Sequence, residues 1–235
     1  MTLTFLTFGS HANYIDAANR LTDQVKELEI FEEIQNYNSN SLKNDPEFWD
    51  KHKDFCEKNR RGYGYWLWKP YLIKKTMEQM KDGDIVLYLD CGCEIDINEK
   101  EYMSEMIELV KTDKIIGTYT HTDKDWTKMD LILKLDMNDN DVLKTPQHQA
   151  GALMFLVCDI TRNIVNEWYN IGCDNHNIDD SPSISNNLGC FRQHRHDQSI
   201  FSLLTKKHNV YSKSCLRKKC IKYTRNKSGI SKLQK

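Results

Sequence analysis

Asp90 ends a continuous apolar run at 85–89, IVLYL, and is followed by the small residues Cys91 and Gly92. Such a run is typical of a strand buried on both faces of a parallel sheet, and ligands bind beyond the carboxyl ends of such strands. The space after Asp90 suits a phosphate, or a hard divalent cation held by a carboxylate and substrate phosphates. An aspartate at a strand end is also typical of a turn or a helix cap, so the residue alone leaves both interpretations open.

Residues 60–70, RRGYGYWLWKP, concentrate two arginines, a lysine and four aromatic side chains in eleven positions. Aromatic faces stack on bases and sugar rings, whereas Arg and Lys bind phosphates and hydroxyls. The alternative is an aromatic patch that packs a helix end into the core, which we expect for one of Trp66 and Trp68. The candidate substrate-binding residues of this stretch are Arg61, Tyr65, Trp68 and Lys69.

The stretch 148–155, HQAGALMF, places polar side chains directly before an apolar run. His148 and Gln149 offer hydrogen-bonding groups, while Ala150 and Gly151 leave room for a bulky polar ligand beside the backbone. We expect these four residues to line a substrate pocket.

The stretch 191–204, FRQHRHDQSIFSLL, sets two histidines, two arginines and an Asp-Gln pair ahead of an apolar helix. Asp197 and Gln198 are candidate catalytic residues, and His196 beside them is a candidate for substrate binding. The alternative is that Asp197 is the N-cap of the helix, a position that aspartate often takes. A cap does not account for the many hydrogen-bonding groups around it.

Alternating strand and helix patterns must position these four stretches. Apolar runs predict strands at 2–9, 30–34, 85–89, 114–119 and 151–157, with a closing strand at 209–212. Helical spacing predicts helices over 12–28, 46–60, 70–80, 98–110, 160–171 and 197–207. The alternation predicts an α/β fold with a mostly parallel central sheet flanked by helices.

The composition indicates a soluble globular protein with one sizeable core, because 39% of the 235 residues are hydrophobic and 29% are charged. We expect one domain over residues 1–212. No stretch approaches the roughly 18 apolar residues of a spanning helix, and no signal peptide is evident, which predicts a cytoplasmic location. The eight cysteines lack zinc spacing and are expected to be free thiols.

The net charge of −1 conceals a basic C-terminal segment. Residues 213–235 carry nine Lys or Arg and no Asp or Glu, which leaves 24 basic against 34 acidic residues, or −10, in residues 1–212. The asymmetry favours a polyanionic partner: nucleic acid, an anionic membrane surface or the phosphates of a small substrate. The alternative is a solvated, disordered tail.

The order of KPYLIKK, GDIVLYLDCG, HQAGALMF and HDQSIF resembles that of GT-A glycosyltransferases, notably the glycogenin-like and the capsular-polysaccharide or mannosyl-transferring groups. In these enzymes a Lys-Pro helix precedes a strand ending in Asp-x-Asp, an Asn/Gln-Ala-Gly strand follows, and an Asp-Gln pair opens a later helix. The chain is most similar to small transferases of large DNA viruses, which act in host cytoplasm, and of bacterial surface-sugar loci. The resemblance covers about residues 2–211.

The resemblance implies a single GT-A (Rossmann-like) domain that moves a sugar from a nucleoside-diphosphate sugar, with UDP favoured, to a glycan or other hydroxyl acceptor. Such activity belongs to polysaccharide biosynthesis and needs no nucleic-acid partner. Asp90 would bind Mn or Mg on the diphosphate, with His208 as the late histidine that completes the metal shell. The basic segment would close over the diphosphate as a lid or contact a membrane peripherally.

The same resemblance assigns roles around the donor. Phe8 and Gly9 would border the nucleotide, and Lys69 would reach the donor sugar or Asp90. Gln149 and Gly151 would line the sugar pocket.

In the Asp-Gln pair, Asp197 would hydrogen-bond the hydroxyls of the donor sugar. Gln198 would lie beneath the anomeric carbon in a retaining enzyme, and the pair favours a retaining reaction. An inverting enzyme would use Asp197 as its base.

Gly92 departs from the family pattern because it stands where the second aspartate is expected. The metal would then need Glu94, Asp96, a histidine or water as a replacement ligand.

Two other classes of function fit parts of the pattern. A metal-dependent phosphodiesterase or nuclease would need three or more acidic or histidine ligands for two metals, for which Asp90, Glu94 and Asp96 are candidates. A non-catalytic module would hold a nucleotide or glycan through the aromatic and basic residues without turnover.

Overall fold

The computed structural model describes residues 1–211 and 220–233. Its strands are β1 (Leu3–Gly9), β2 (Glu33–Asn38), β3 (Ile85–Leu89), β4 (Glu94–Ile95), β5 (Ile115–Ile116), β6 (Tyr119–Thr122), β7 (Pro146–His148), β8 (Ala152–Leu156) and β9 (Ile221–Lys222). Its helices are α1 (Asn13–Lys26), α2 (Ser39–Lys43), α3 (Pro46–Lys58), α4 (Gly62–Tyr65), α5 (Trp68–Glu78), α6 (Glu101–Asp113), α7 (Asp123–Trp126), α8 (Met129–Lys134), α9 (Asn140–Leu143), α10 (Asp159–Gly172) and α11 (Asp197–Lys207).

The central sheet has five strands in the order β2-β1-β3-β8-β5. Strand β1 pairs in parallel with β2 and β3, whereas β8 runs antiparallel to both β3 and β5. Four strands therefore share one direction and β8 opposes them. This confirms the predicted α/β fold with a mostly parallel central sheet flanked by helices.

Strand β3 lies at the centre of the molecule and explains the apolar run that ends at Asp90. Its Val86 and Tyr88 side chains belong to a cluster that includes residues of α5, α10 and α11, whereas Ile85, Leu87 and Leu89 belong to a cluster with α1 and α6. Successive strand side chains point to opposite faces, so a strand covered by helices on both faces must be apolar throughout.

The reversal of β8 decides which loops meet at the sheet edge. Because Leu89 pairs with Ala152, the residues that precede β8 lie beside the residues that follow β3. The Asp90 N–H accordingly donates to the Gly151 carbonyl at 2.8 Å. Had β8 been parallel, the stretch 148–151 would have lain at the opposite edge.

Two predicted strands differ from the structure. Strand β2 begins at Glu33, three residues after the start of the predicted 30–34 strand, because an edge strand can pair with β1 without an apolar pattern. Residues 209–211 are not a strand, and residue 212 of that prediction lies outside the described residues. The closing strand is β9, which pairs with β4.

The stretch 122–147, which the sequence pattern left unassigned, contains α7, α8 and α9 and ends in β7. Among the described residues, no helix has the length and apolar character needed to cross a membrane.

Candidate active site

A cleft of about 1570 Å³ opens beyond the carboxyl ends of β1 and β3. Phe8 near the end of β1, Asp90 after β3 and Gly151 before β8 all lie in its wall. This is the position at which open α/β sheets bind their ligands.

Lys69, in the first turn of α5, joins two carboxylates that are far apart in the sequence. Its Nζ lies 2.8 Å from Asp197 Oδ2 and 3.3 Å from Asp90 Oδ1. The side chains of Lys69 and Asp197 are 3% and 5% exposed, whereas that of Asp90 is 41% exposed. The Lys69–Asp197 pair is thus almost inaccessible to solvent, with Lys69 at the cleft wall and Asp197 behind it, and Asp90 presents its carboxylate to the cleft.

The orientation of Asp90 is held from two further sides. The Tyr88 hydroxyl donates to Asp90 Oδ1 at 2.5 Å. A Cβ on Gly151 would stand 3.0 Å from Asp90 Oδ2. Only glycine therefore leaves space in front of this oxygen without moving the carboxylate.

Burial and the neighbouring charges shift the pKa values of Lys69 and Asp197 in opposite directions. Burial raises the pKa of Asp197 to about 6, against the opposing effect of the Lys69 charge. Burial also lowers the pKa of Lys69, but the carboxylates of Asp197 and Asp90 outweigh it, so the pKa of Lys69 lies above its usual value. Both members of the pair are consequently charged at pH 7.

Asp197 is not the N-cap of α11, so that interpretation is wrong. The N-cap is His196, with φ of 55°, and no side chain caps the helix. The Asp197 carboxylate instead lies behind Lys69 and does not line the cleft, whereas Gln198 does. The Gln198 amide donates to Gln147 Oε1 at 2.7 Å, which fixes its orientation at the cleft wall.

The aromatic stretch forms one side of the cleft through a strained turn. Tyr63, Tyr65 and Trp66 all have positive φ, at 53°, 51° and 63°. Non-glycine residues pay for such conformations, which cluster where ligands are held. The Trp68 ring stacks on Phe8 with centroids 3.9 Å apart and is buried, yet both residues also line the cleft.

Positive charge dominates the cleft lining. Among the lining residues that the structure describes, two are acidic, Glu57 and Asp90, and eight are basic: Lys43, Arg60, Arg61, Lys69, Arg195, Lys222, Arg225 and Lys227. A concave surface with this charge concentrates anionic ligands such as phosphates.

The described part of the basic segment, residues 220–233, supplies three of these cations and packs on the turn after Asp90. The Gly92 carbonyl accepts hydrogen bonds from the Thr224 hydroxyl at 3.1 Å and the Asn226 N–H at 2.9 Å. Arg225, between them, therefore lies directly over the strand end.

The carboxylates considered as replacement metal ligands have other partners. Glu94 is fully buried and accepts from the Ser231 hydroxyl and the Lys232 N–H, both at 2.8 Å. Asp96 forms an ion pair with Lys222 at 3.3 Å. Neither carboxylate lines the cleft.

His208 is not brought to Asp90. It follows the last residue of α11, about 16 Å along an eleven-residue helix from Asp197 at the other end. There its Nε2 lies 2.9 Å from Glu167 Oε1. The structure therefore contradicts its predicted place in a metal shell at Asp90.

The donor set at Asp90 does not fit a metal centre built from protein ligands. Within residues 1–211 and 220–233, no group of three or more His, Cys, Asp or Glu side chains is placed to hold a metal ion. Among the described residues at this strand end, Asp90 is the one that presents a carboxylate to the cleft, and Mn or Mg at this point stays a prediction from the resemblance.

The remaining predicted site residues divide into two groups. The structure brings seven of them into the cleft wall together with Asp90, Lys69 and Gln198: Phe8, Arg61, Trp68, Gln149, Ala150, Gly151 and His196. It places three outside the lining: Gly9, Tyr65 and His148.

Each of the three outside the lining has a packing role. A Cβ on Gly9 would lie 2.4 Å from the Tyr14 carbonyl oxygen, so glycine permits the close approach of α1. The Tyr65 ring packs on His196 with centroids 4.9 Å apart. His148 is fully buried, and burial lowers its pKa to about 3, so that it is a neutral core side chain.

Several residues of the site were missed by the sequence interpretation. Tyr88 was assigned only to a strand, and Arg20 only to a helix. Arg20 is nevertheless buried and donates to the carbonyls of Cys91 at 2.8 Å and Cys93 at 2.7 Å. Its position one residue before Leu21, beside the apolar face of α1, was the available signal that it points inward.

No protein-family model matches the chain, and no curated protein matches it by sequence. Among solved structures, it is similar to a glycosyltransferase involved in the glycosylation of the major capsid of PBCV-1, at 12% identity and a TM-score of 0.39. That match covers 73% of this chain and 66% of the other, so the chain spans just under two thirds of that protein.

The chain is also similar to mouse xyloside xylosyltransferase 1 in its apo form, at 11% identity and a TM-score of 0.47, over 89% of this chain and 83% of the other. Both neighbours are glycosyltransferases. Placement of this chain in the glycogenin-like or capsular-polysaccharide groups stays a prediction.

Proposed function

We propose that the protein transfers a sugar from a nucleoside-diphosphate sugar, with UDP as the favoured nucleotide, to a hydroxyl of a glycan or other acceptor. The observation that carries the proposal is the cationic cleft at the carboxyl ends of β1 and β3, where eight basic and two acidic described residues line the wall. Its charge matches a diphosphate, and its aromatic side matches a base or sugar ring.

The reaction requires a diphosphate to leave. The acceptor oxygen forms a bond to the anomeric carbon while the bond from that carbon to the phosphate oxygen breaks, and its electron pair stays on the diphosphate. In the retaining reaction that we favour, the acceptor proton passes to the leaving phosphate oxygen. Cationic donors fixed in the wall stabilise the charge that develops on that oxygen.

Lys69 and Gln198 line the cleft and are the proposed contacts to the donor. Asp197 lies behind Lys69, so we assign it as a positioning residue that holds the Lys69 ammonium between two carboxylates. Pre-organisation of this kind matters because a charge already oriented costs no rearrangement during the reaction.

A divalent cation at Asp90 belongs to the proposal only as an expectation from the resemblance. The one open carboxylate oxygen would act together with substrate phosphates.

The nuclease alternative loses its support, because it needs three or more clustered ligands and the described residues contain no such cluster. The binding-module alternative shares the cleft but predicts no turnover. A cytoplasmic location, a viral source and peripheral membrane contact stay predictions.

Nucleotide binding tests the proposal. UDP at 100 times its Kd should stabilise the protein by about 2.7 kcal/mol, which raises Tm by roughly 5–10 °C for a chain of this size. The measurement is a thermal-shift panel of UDP, GDP and dTDP with Mn and with EDTA, followed by hydrolysis of each matching nucleotide sugar. Absence of any shift with every nucleoside diphosphate would remove the transferase proposal, and binding without hydrolysis or transfer would leave the binding module.

The rate of transfer should depend on pH through Asp197. Its carboxylate holds Lys69 in place, and with a pKa of about 6 it gains a proton as the pH falls below that value. We expect kcat/KM to be level above pH 7 and to fall by about tenfold per pH unit well below pH 6. Asp197→Asn should lower the rate and should also abolish the decrease of kcat/KM at low pH. If the variant kept a decrease with the same pKa, that decrease would belong to another group.

A further inference from the structure

We infer that residues 220–233 supply the positive charge that stabilises the leaving diphosphate, in place of a metal ion held by a second aspartate. The inference rests on the proposed transferase function and names the groups that act at that site. Arg225 and Lys227 are the two side chains we assign to the diphosphate.

The first observation is that the backbone of this segment lies within contact distance of the place that a side chain at position 92 would take. A Cβ on Gly92 would stand 3.4 Å from the Arg225 Cα and 3.7 Å from the Asn226 nitrogen. A Cβ alone would make ordinary van der Waals contact at these distances, and we expect the longer side chain of an aspartate to press against the segment. Gly92 is thus the point at which the segment lies against the turn that follows β3.

The second observation is that the segment is anchored at both of its sides. Besides the bonds to the Gly92 carbonyl, Arg20 Nη1 donates to the Asn226 carbonyl at 3.4 Å and the Ser228 carbonyl at 3.1 Å. Nearer the end of the segment, the fully buried Glu94 accepts hydrogen bonds from the Ser231 hydroxyl and the Lys232 backbone N–H. Arg20 and Glu94 are buried charged groups, and such groups are costly unless they are paired or hydrogen-bonded. Because the segment supplies their partners, its release would leave both without them, and these contacts therefore hold it in place.

The third observation is that the basic side chains of the segment lie at the cleft. Arg225 and Lys227 are exposed to solvent and line the cleft, with Arg225 held at φ of 50° between two anchored neighbours. Lys227 Nζ lies 5.3 Å from the centroid of the Tyr14 ring, which also lines the cleft. Lys222 shares its charge with Asp96 and is therefore the weaker candidate.

These groups suit the chemistry of the step. As the bond between the anomeric carbon and the phosphate oxygen breaks, its electron pair remains on the diphosphate, and the guanidinium and ammonium groups offer hydrogen bonds to that oxygen. Arg binds phosphate through a planar fork and Lys as a point charge. No further reactant is needed, because the acceptor supplies the oxygen and the proton.

The test measures binding of UDP and of inorganic pyrophosphate by calorimetry, in EDTA and in Mn. The wild type should bind both in EDTA, with a Kd that changes less than threefold when Mn is added. Arg225→Met with Lys227→Met should weaken UDP binding by at least tenfold, and the slope of log K against log salt should decrease. Lys232→Met is the matched control, since it removes a charge from the same segment at an exposed position outside the cleft lining.

The outcomes separate this inference from the proposed function. Binding only in Mn, or unchanged binding by the double variant, would overturn the assignment to residues 220–233 and leave the transferase proposal standing. Absence of binding in both EDTA and Mn would overturn this inference, and it would overturn the transferase proposal as well if GDP and dTDP also failed to bind. An equal loss in Lys232→Met would indicate a general charge effect and would also overturn the assignment.

Discussion

Lys69→Met is expected to lower the rate of sugar transfer by about 10²–10³-fold, the usual effect of removing one oriented donor from a site of developing negative charge. The Lys69 ammonium lies between Asp197 and Asp90 and lines the cleft, so its loss removes a cation and leaves two carboxylates facing each other. The measurement is the initial rate of transfer or of donor hydrolysis at saturating donor.

The same substitution should also lower the free energy of unfolding. Breaking a buried ion pair by removing one partner costs about 3–5 kcal/mol, because the other charge stays buried without compensation. Lys69→Met combined with Asp197→Leu removes both charges and should recover most of this loss, as measured by urea denaturation. It should not recover transfer, because the cation is still missing.

The double variant therefore separates stability from activity at this site. Lys74→Met is the control on the same helix: Lys74 pairs with Glu78 on the surface, and such pairs contribute at most about 1 kcal/mol. Recovery of transfer in the double variant would show that Lys69 serves only to balance a buried charge.

Arg20→Met should also lower the free energy of unfolding strongly. Arg20 donates to carbonyls on both sides of the cleft floor, those of Cys91 and Cys93 and those of Asn226 and Ser228. Its Nη1 also lies 3.9 Å from an oxygen of the buried Glu94 carboxylate. Its loss leaves a buried carboxylate without its positive neighbour, at a cost of about 3–5 kcal/mol.

We also expect Arg20→Met to free the segment 220–233 from the strand end and to weaken UDP binding about as much as the Arg225 and Lys227 double variant. Urea denaturation, calorimetry and limited proteolysis after Lys222 or Arg225 measure these effects. Lys26→Met on the same helix is the control, since Lys26 forms only an exposed pair with Asp23. An Arg20→Met protein with wild-type stability and an uncleaved segment would contradict the anchoring role.

The parts of the fold that were predictable depend on local patterns. The continuous run at 85–89 specifies a strand covered on both faces, and the position of Asp90 at the sheet edge follows from it. Lys69, Asp90 and Asp197 were each singled out for residue type and context. That they meet around one ammonium could be seen only in the fold, since Lys69 and Asp197 lie 128 positions apart in the sequence.

Two features had no local signal. The five residues of β8 carry no indication of strand direction, yet their reversal brings Gly151 to Asp90. The charge-rich C-terminal pattern allowed either a lid or a tail, and its anchors are Arg20, Gly92 and Glu94, more than 130 residues away. His208 was misplaced for a different reason. It follows directly after the predicted helix at 197–207, and the full length of that helix separates it from Asp197 in space.

The contact between Gly92 and Arg225 has an evolutionary consequence. A Cβ at position 92 would already be in contact with the backbone of Arg225, so we expect a larger side chain there to displace the segment and the two sites to vary together. Homologues that carry aspartate at the equivalent of Gly92 should have a shorter or displaced segment there, whereas homologues that keep glycine should keep the segment and its basic residues. Within such a lineage, loss of the second aspartate and gain of the basic segment would be one coupled change, in which a metal ion is replaced by basic side chains as the source of positive charge at the diphosphate.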